Sequence, residues 1–441
     1  MNDPLFPLPD ATEPPVARVN AEPRVQRPNR TQLQWRPIDL EALLPPAHRA
    51  RVVWEFVEGL DLGPLYHTIK AVEGHAGRAA IDPAILMALW LYATLEAVGS
   101  ARALARLCEE HDAYRWLCGG VSVNYHALAD FRVDHAEVLD GLLTTSVAAL
   151  MAEGLVALTR VAQDGVKIRA SAGGASFRRG ERLAQCLAEA TAQVGALREQ
   201  LEADPGAGSR REAAARRRAV EERQRRVAAA LAQVPGLEAR RRKAGVKGPA
   251  RLSTTDPDAR VMKMADGGFR PAFNAQLMTT TQGQVIVGVE LTNAGTDQGQ
   301  LHPMVEQVQR RYGGGPTEVL ADGGYVDLDD LRAVAGAEHG CTVYAPPPGA
   351  DDPTRAHRPL WRVDDALVGE WRQRMATAAA KAVYRERAAT SECVNALARN
   401  RGLRQLGVRG LRNARAVLLW FVLAHNLMRA ACLRGAGALA T

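Results

Sequence analysis

The amino-acid sequence predicts an α/β protein with a helical N-terminal part and a helical insertion. Two β-rich runs, 154–171 and 273–293, predict strands, the first of them interrupted by the Asp164-Gly165 pair. A strand, helix, strand pattern between 317 and 348 predicts parallel pairing, which is typical of α/β sheets. Residues 180–245 are rich in Ala, Arg, Glu and Gln and predict one or two long helices.

The composition is that of a globular protein with a mild preference for anionic partners. The 441 residues carry a formal net charge of +7, with 47% hydrophobic and 24% charged residues. Six scattered cysteines without C-x-x-C spacing indicate neither a zinc site nor a disulfide framework, and they favour a reducing cytoplasm. The apolar run Val417–Met428 is too short to cross a bilayer and predicts a core helix.

The N-terminal third divides into a tail and a helical part. Residues 1–38 are rich in proline and lack apolar periodicity, which predicts a disordered tail. Residues 39–152 change to helical periodicity. An Asp-Pro pair at 82–83 starts a strongly apolar helix, and Ser100 caps another that extends towards Leu117.

A short third helix is predicted after a pair of glycines, in the segment SVNYHALADFRVDH. Asn124 is placed to cap this helix, and His126, Asp130 and Arg132 are expected to point outward. Short helices joined by a glycine turn resemble a helix-turn-helix, although three packed helices are also typical of domains that do not bind DNA. Asn124, His126 and Arg132 are the candidate DNA-contacting residues of this part.

The predicted helical insertion carries the excess positive charge. Residues 201–250 contain 13 Lys and Arg against 6 Asp and Glu, a surplus equal to that of the whole chain. Such a segment is either a solvated arm or a surface that binds phosphates. The sequence leaves both interpretations open.

The strand and helix signals of the second half follow one another closely. Residues 273–293 predict a hairpin around Gln282-Gly283, and a helix is expected from Leu301 to Arg311. The short strand in TEVLADGGY is followed by a helix that Asp327 caps, and CTVYAPPP predicts one more strand. A polar linker at about 348–370 precedes a helical C-terminal part.

Two segments share one pattern, an apolar strand that enters an Asp-Gly pair. The segment VAQDG contains Asp164, and VLADG contains Asp322, 158 residues further along. Because ligands of open α/β sheets collect at strand ends, the two acids can converge. Asp-Gly after a strand is also common turn chemistry, so an ordinary turn remains the alternative at each position.

A polar stripe runs along the C-terminal helix that contains YRERAATSECVNALARNRGL. At about 100° per residue, one face carries Tyr384, Arg387, Glu392, Asn395 and Arg399. Glu386 falls on the opposite face and is expected to be solvated. Since a buried carboxylate or guanidinium needs a partner, this stripe predicts a charged surface facing it.

These residues resemble the DDE transposases of bacterial insertion sequences. The C-terminal signature of that family is Tyr, two residues, Arg, three or four residues, Glu, six residues, then Lys or Arg. It is matched by Tyr384, Arg387, Glu392 and Arg399. The segments AQDGVKIRASAG, STTDPDARVMK and VLADGGY are similar to other parts of the family pattern, and the likeness extends over about residues 40–434.

The resemblance implies a ribonuclease H-like mixed sheet flanked by helices and an all-α N-terminal DNA-binding domain. The domains are then 39–152 for DNA binding and 153–434 for catalysis, interrupted by the basic insertion 180–250, with a short tail at 435–441. Asp164, Asp322 and Glu392 are the implied acidic triad. They would bind Mg²⁺, with Mn²⁺ able to substitute, while Tyr384, Arg387 and Arg399 contact DNA phosphates.

The implied reaction is cleavage of DNA at insertion-sequence ends and strand transfer into target DNA. Its partners are double-stranded DNA, as terminal inverted repeats and target, and further copies of the chain in a homodimer or larger assembly. A metal-dependent nuclease without strand transfer, or a catalytically silent DNA-binding repressor, remains an alternative. The expected location is the bacterial cytoplasm, at the nucleoid.

Overall fold

The computed structural model describes residues 39–71, 79–203, 209–347 and 365–440. The described residues from Leu40 onward form one compact unit. The predicted disordered tail lies outside the described residues, as does most of the predicted polar linker.

In the described residues, seven α-helices form the N-terminal part. They are α1 (Arg49–Glu58), α2 (Gly63–Tyr66), α3 (Pro83–Leu95), α4 (Ala101–Glu110), α5 (Asp112–Cys118), α6 (Tyr125–Asp134) and α7 (Ala136–Ala152). Helix α3 is buried on nearly all sides, as its uniformly apolar sequence requires, and Asp82 caps it as predicted. The helix expected from Ser100 to Leu117 is two helices. It breaks at His111, whose side chain accepts a hydrogen bond from the Ala113 amide and so caps α5.

A six-stranded mixed sheet forms the second half, beside a two-stranded sheet. The strands are β1 (Arg160–Arg169), β2 (Phe177–Arg178), β3 (Leu252–Ser253), β4 (Arg260–Lys263), β5 (Phe269–Thr280), β6 (Ile286–Thr292), β7 (Glu318–Leu320) and β8 (Thr342–Tyr344). The large sheet has the order β4-β5-β1-β7-β8, and β6 also pairs with β5. Strands β1, β7 and β8 are parallel, whereas the pairs involving β5 are antiparallel. The predicted hairpin and the predicted parallel pair are therefore confirmed.

One strand prediction was wrong in its detail. The Asp164-Gly165 pair was expected to interrupt the strand, but β1 continues through it. The reason is tertiary pairing, because β1 pairs residue by residue with β5 from Val161 to Arg169. This ladder outweighs the local turn preference of Asp-Gly.

The outer edge of β6 is covered by side chains from two helices. These helices belong to the second half, whose helices are α8 (Gly180–Ala203), α9 (Arg210–Lys243), α10 (Leu301–Tyr312), α11 (Leu328–Ala335), α12 (Ala366–Ala376), α13 (Ala378–Asn400) and α14 (Leu411–Ala440). The amide of Gln307 on α10 bonds both backbone groups of Val289. The amide of Asn426 on α14 bonds both backbone groups of Ile286. An otherwise open strand edge is thereby satisfied.

The insertion is a pair of long helices, α8 and α9, as predicted. A small core of its own, built from Leu183, Ala230, Val234 and Leu252, joins the pair to strand β3. Gln233 on α9 donates to Asp258 and accepts from Arg260, which connects the helices to the loop before β4. The choice between a solvated arm and a phosphate-binding surface for this pair stays open.

Helix α14 is the central helix of the C-terminal part. It packs against α3, α7 and β6 and is lined by fully buried residues such as Trp420 and Phe421. Its segment Leu411–Gly435 is long and apolar enough to cross a membrane, but 72% of its most apolar window is buried inside the protein. The structure therefore uses this helix as core, in agreement with the sequence prediction.

Candidate active site

Asp164 and Asp322 come together through the register of two parallel strands. Ala162 on β1 is the partner of Leu320 on β7. Each aspartate lies two residues beyond its paired residue, so the two occupy equivalent positions, Asp164 within β1 and Asp322 just past the end of β7. Their charges interact, because Asp322 contributes to raising the pKa of Asp164.

Asp164 is largely enclosed, with 19% of its side chain exposed. Its Oδ1 accepts from the Gly165 amide at 3.0 Å, and its Oδ2 accepts from Nδ2 of Asn395 at 2.8 Å. Nη1 of Arg387 is 3.6 Å from the same Oδ2. Burial raises the pKa of Asp164, and Asp322 adds to this, while Arg387, the Gly165 amide and Asn395 lower it; the net shift is upward.

Asp322 lies two residues after the end of β7 and caps a 3-10 turn, Gly323–Tyr325. Its Oδ1 accepts from the Gly324 amide at 2.7 Å, which fixes the carboxylate at the strand end. Tyr325, from the same turn, is buried and donates its hydroxyl to Oε1 of Gln276 at 2.5 Å. Burial raises the pKa of Tyr325 well above its ordinary value, and the nearby aspartates add to this, so the phenol stays neutral.

Helix α13 places two residues of its predicted polar stripe against Asp164. Arg387 and Asn395 lie two turns apart on one face, and both meet Asp164. The Arg387 guanidinium lies 5.9 Å from the centroid of the Tyr384 ring. Burial lowers the pKa of Arg387, but Asp164, Tyr384 and Asp322 outweigh burial, and the net shift is upward. The guanidinium is therefore a fixed positive charge beside the carboxylates.

Glu392 is on the same helix, one turn before Asn395, and its side chain is exposed. It is not brought into a group with Asp164 and Asp322. In the described ranges, no three His, Cys, Asp or Glu side chains are placed to hold one metal ion. The structure thus brings Asp164 and Asp322 together, whereas Glu392 is exposed on α13 and forms no group with them.

Asp297 is a site residue that the sequence analysis missed. Its Oδ1 accepts from Nδ2 of Asn274 at 2.7 Å and from Nε2 of Gln276 at 2.8 Å. A Cβ atom on Gly165 would lie 2.3 Å from that oxygen, so any other residue at this position would force the Asp297 side chain to move. The available signal was the alternation of Asn274 and Gln276 on a buried strand, since buried amides need polar partners.

The three candidate DNA-contacting residues of the N-terminal part lie in different environments. Asn124 caps α6 as predicted, accepting from the Ala127 amide at 2.9 Å, and His126 is exposed. Arg132 was expected to point outward, and this was wrong. Its guanidinium lies 4.7 Å from the centroid of the Trp90 ring and donates to the Gly99 carbonyl at 2.6 Å. Arg132 is one turn beyond the buried Leu128 and so shares its inward face.

Other acids near these elements have structural contacts. Glu386 was expected to be solvated; it is exposed but forms an ion pair with Arg160 at 2.6 Å. Asp256 is fully buried and accepts from the Asp258 amide, and Asp258 accepts from the Leu411 amide. Asp327 caps α11 as predicted. None of these carboxylates lies with the Asp164 and Asp322 pair.

Two protein-family models match the chain. A model described as Transposase domain (DUF772) matches residues 38–134, and one described as Transposase DDE domain matches residues 249–427. Together they cover more than half of the sequence. The chain belongs to the DDE transposase family. No curated protein and no solved structure matches it.

The matched segments contain only some of the residues that form the candidate site of this transposase. The DDE segment contains Asp297, Asp322 and the whole of α13, whereas Asp164 lies between the two matched segments. The helical insertion α8–α9 follows Asp164 in the chain and separates it from the rest. Strand pairing brings Asp164 back beside the residues of the DDE segment, because β1 lies between β5 and β7 in the sheet.

Proposed function

We propose that this transposase cleaves DNA at the ends of an insertion sequence and joins those ends to target DNA. The observation that supports this best is the equivalent placement of Asp164 and Asp322 on neighbouring parallel strands, with Arg387 beside them. The carboxylates of Asp164 and Asp322 and the guanidinium of Arg387 together suit a reaction at a phosphodiester. In such a reaction, negative charge is already present and more of it develops on the leaving oxygen.

The donor chemistry of the pair suits a hard divalent cation such as Mg²⁺ or Mn²⁺. Carboxylate oxygens are the ligands that these ions prefer, and burial with a like charge nearby makes ionised Asp164 costly without a cation. Asp164 and Asp322 would hold the ion, and Glu392 would complete the set from α13. Bound there, such an ion supplies Lewis-acid stabilisation of the phosphate oxygens.

The other roles in the proposed reaction, which are to orient Asp164 and to bind DNA, belong to side chains of the chain itself. Asn395 holds Oδ2 of Asp164 in place, and Arg387 provides positive charge for a phosphate, as expected for a guanidinium with planar donors. Tyr384 supports Arg387, and the exposed Arg399 extends the positive surface. For the N-terminal domain we propose DNA contact through the exposed start of α6, at Asn124 and His126.

The same proposal includes a ribonuclease H-like core and a dimeric or larger complex on DNA. The first is supported by the mixed sheet, in which a parallel strand pair flanks β1 and carries Asp322. The dimeric or larger complex follows from the proposed reaction, because the two ends of the insertion sequence must be held together. Action in the cytoplasm on nucleoid DNA belongs to the proposal as well.

Cleavage of DNA carrying the element's terminal repeats tests this function. We expect Mg²⁺-dependent nicking by the wild type and a loss of at least about 100-fold in Asp164→Asn, Asp322→Asn and Glu392→Gln, since even outer-shell changes cost 10–100-fold at metal sites. Glu386→Gln is the matched control on the same helix and should nick normally. Equal activity in all variants would remove the site assignment.

Strand transfer is measured in the same reaction with a labelled target plasmid. Nicking without joined products would favour the nuclease alternative. Tight DNA binding without nicking in the wild type would favour the repressor alternative. Joined products that depend on all three acids support transposition.

A further inference from the structure

A cleft of about 760 Å³ opens beside the acid pair and is strongly basic. Its walls come from four parts of the chain: strand β1, the facing ends of β4 and β5 with the turn between them, the loop after β6, and the end of α13 with the loop after it. Six of the lining residues are basic: Lys167, Arg169, Lys263, Arg270, Arg399 and Arg404. Only two acids, Asp266 and Asp297, line the same cleft.

Most of this positive charge is not neutralised within the protein. Asp266 pairs with Arg270 at 2.8 Å, and Asp297 is hydrogen-bonded to two side-chain amides. Within the described ranges, no ion pair with an acid is formed by the other five: Lys167, Arg169, Lys263, Arg399 and Arg404. A concave surface with this excess of one charge concentrates field lines and attracts polyanions.

The backbone fixes these charges in a row. Lys167 and Arg169 alternate along β1, so their side chains share one face of the strand, and Gly165 leaves that face open at the next position. The loop after α13 runs beside the end of β1. The Arg169 amide donates to the Arg404 carbonyl at 3.2 Å, and the Leu406 amide donates to the Arg169 carbonyl at 2.8 Å. This pairing places Arg404 next to Arg169.

The cleft begins at the proposed active site. Gly165, Asp297 and Asn395 line it. Asn395 donates a hydrogen bond to Asp164, Gly165 follows Asp164 in the chain, and Asp297 lies against Gly165. On β1, Asp164 points to the opposite face from Lys167 and Arg169. A polymer with one phosphate at the aspartates would therefore reach the basic row past Asn395 and Arg399, which line the cleft on α13.

We infer that this cleft binds the sugar-phosphate backbone of the DNA strand next to the reacting phosphate. The inference rests on the proposed function and adds the track along which the strand lies. Lys167, Arg169, Lys263 and Arg404 are its phosphate contacts, and none of them belongs to the family signature. Because these contacts are to backbone phosphates, they add affinity without sequence preference.

Salt-dependent binding tests the inference. The affinity of a labelled DNA duplex is measured over a series of KCl concentrations, without divalent metal, for the wild type and for Lys167→Gln/Arg169→Gln/Lys263→Gln. Each lost phosphate contact lowers the slope of log affinity against log salt by about 0.9, so the triple variant should lose roughly 2 to 3 units of slope. Thermal melting shows whether the variant is folded, and Lys263→Gln/Arg404→Gln serves as a second variant.

The control removes the same charge elsewhere. Arg310, Arg385 and Arg409 are exposed and do not line the cleft, so the Gln variant of all three should keep most of the wild-type slope. An unchanged slope in the cleft variants, or an equal loss in the control, would overturn the inference. Failure of the wild type to nick DNA would instead count against the proposed function, whatever the binding result.

Discussion

Asp164 and Asp322 occupy equivalent positions on adjacent parallel strands, each two residues beyond the paired residues Ala162 and Leu320. Asp322 follows Asp164 by 158 residues, a stretch that includes the helical insertion. Their proximity is therefore a property of the sheet, and the insertion can vary in length without moving either acid. The site has a rigid strand on one side and the start of a turn on the other.

The raised pKa of Asp164 predicts an acid limit to activity. Only an ionised carboxylate binds a cation, and a raised pKa keeps the proton on Asp164 to a higher pH than on an ordinary aspartate. Metal-dependent nicking should therefore fall as the pH drops through this raised pKa. In Arg387→Met the lowering influence of the guanidinium is lost, so the acid limb of the pH profile should move to higher pH. Arg385→Met, on the same helix, should leave the limb in place, and a limb unmoved by Arg387→Met contradicts the assignment.

Asn395 is expected to act through Asp164. Its amide is the group that holds Oδ2, and it lowers the carboxyl pKa. Asn395→Ala should weaken Mn²⁺ binding, measured by titration calorimetry, by about 10–100-fold, as is usual for a residue that orients a metal ligand. Raising the pH should recover part of the loss, because it restores ionisation. Asn400→Ala, exposed at the end of α13, is the matched control. A loss that pH does not relieve would indicate a merely structural role.

Gly165 should be intolerant of any side chain. Its Cβ would meet Asp297 Oδ1 at 2.3 Å and Gln276 Nε2 at 2.9 Å. Gly165→Ala is expected to cost about 1–3 kcal/mol in the free energy of unfolding, measured by urea denaturation. In an Asp297→Ala background the same change should cost less, because one clashing group has gone. Equal costs in both backgrounds would show that Asp297 is not what excludes the side chain.

Arg132 should matter for stability rather than for DNA binding. Its guanidinium is enclosed between Trp90 and the Gly99 carbonyl, and burial lowers its pKa to about 10. Arg132→Ala should lower the free energy of unfolding by about 1–3 kcal/mol, through lost packing and a lost hydrogen bond. The salt slope of DNA binding should not change. His126→Ala makes the opposite test, since its exposed ring should affect DNA affinity with little effect on stability.

Sequence reasoning predicted most elements of the fold because their signals are local. Asp82, Asn124 and Asp327 cap helices in the structure as expected, and α9 begins at a reciprocal Ser209 and Glu212 cap. The β5–β6 hairpin and the β7–β8 parallel pair also follow from local pattern and loop length. Caps and hairpins depend on neighbours in the chain, which a single sequence displays; the Ser209 and Glu212 cap is of this kind but was not predicted.

The features that could not be predicted depend on distant partners. The continuation of β1 through Asp164-Gly165 needs the ladder with β5, and the inward direction of Arg132 needs Trp90. Asp297 was missed because only the fold places it against Gly165. The contact of Asn395 with Asp164 could not be foreseen for the same reason, as 231 residues separate the two.

The most direct test of the account is a crystal structure grown with Mn²⁺ and analysed for anomalous scattering. We predict an anomalous peak within about 2.0–2.3 Å of carboxylate oxygens from both Asp164 and Asp322, with Glu392 turned towards the ion. The same crystals of Asp164→Asn should lose the peak. Manganese bound only at other acids, or by one of the two aspartates without the other, would contradict the claim that strand register builds the catalytic site.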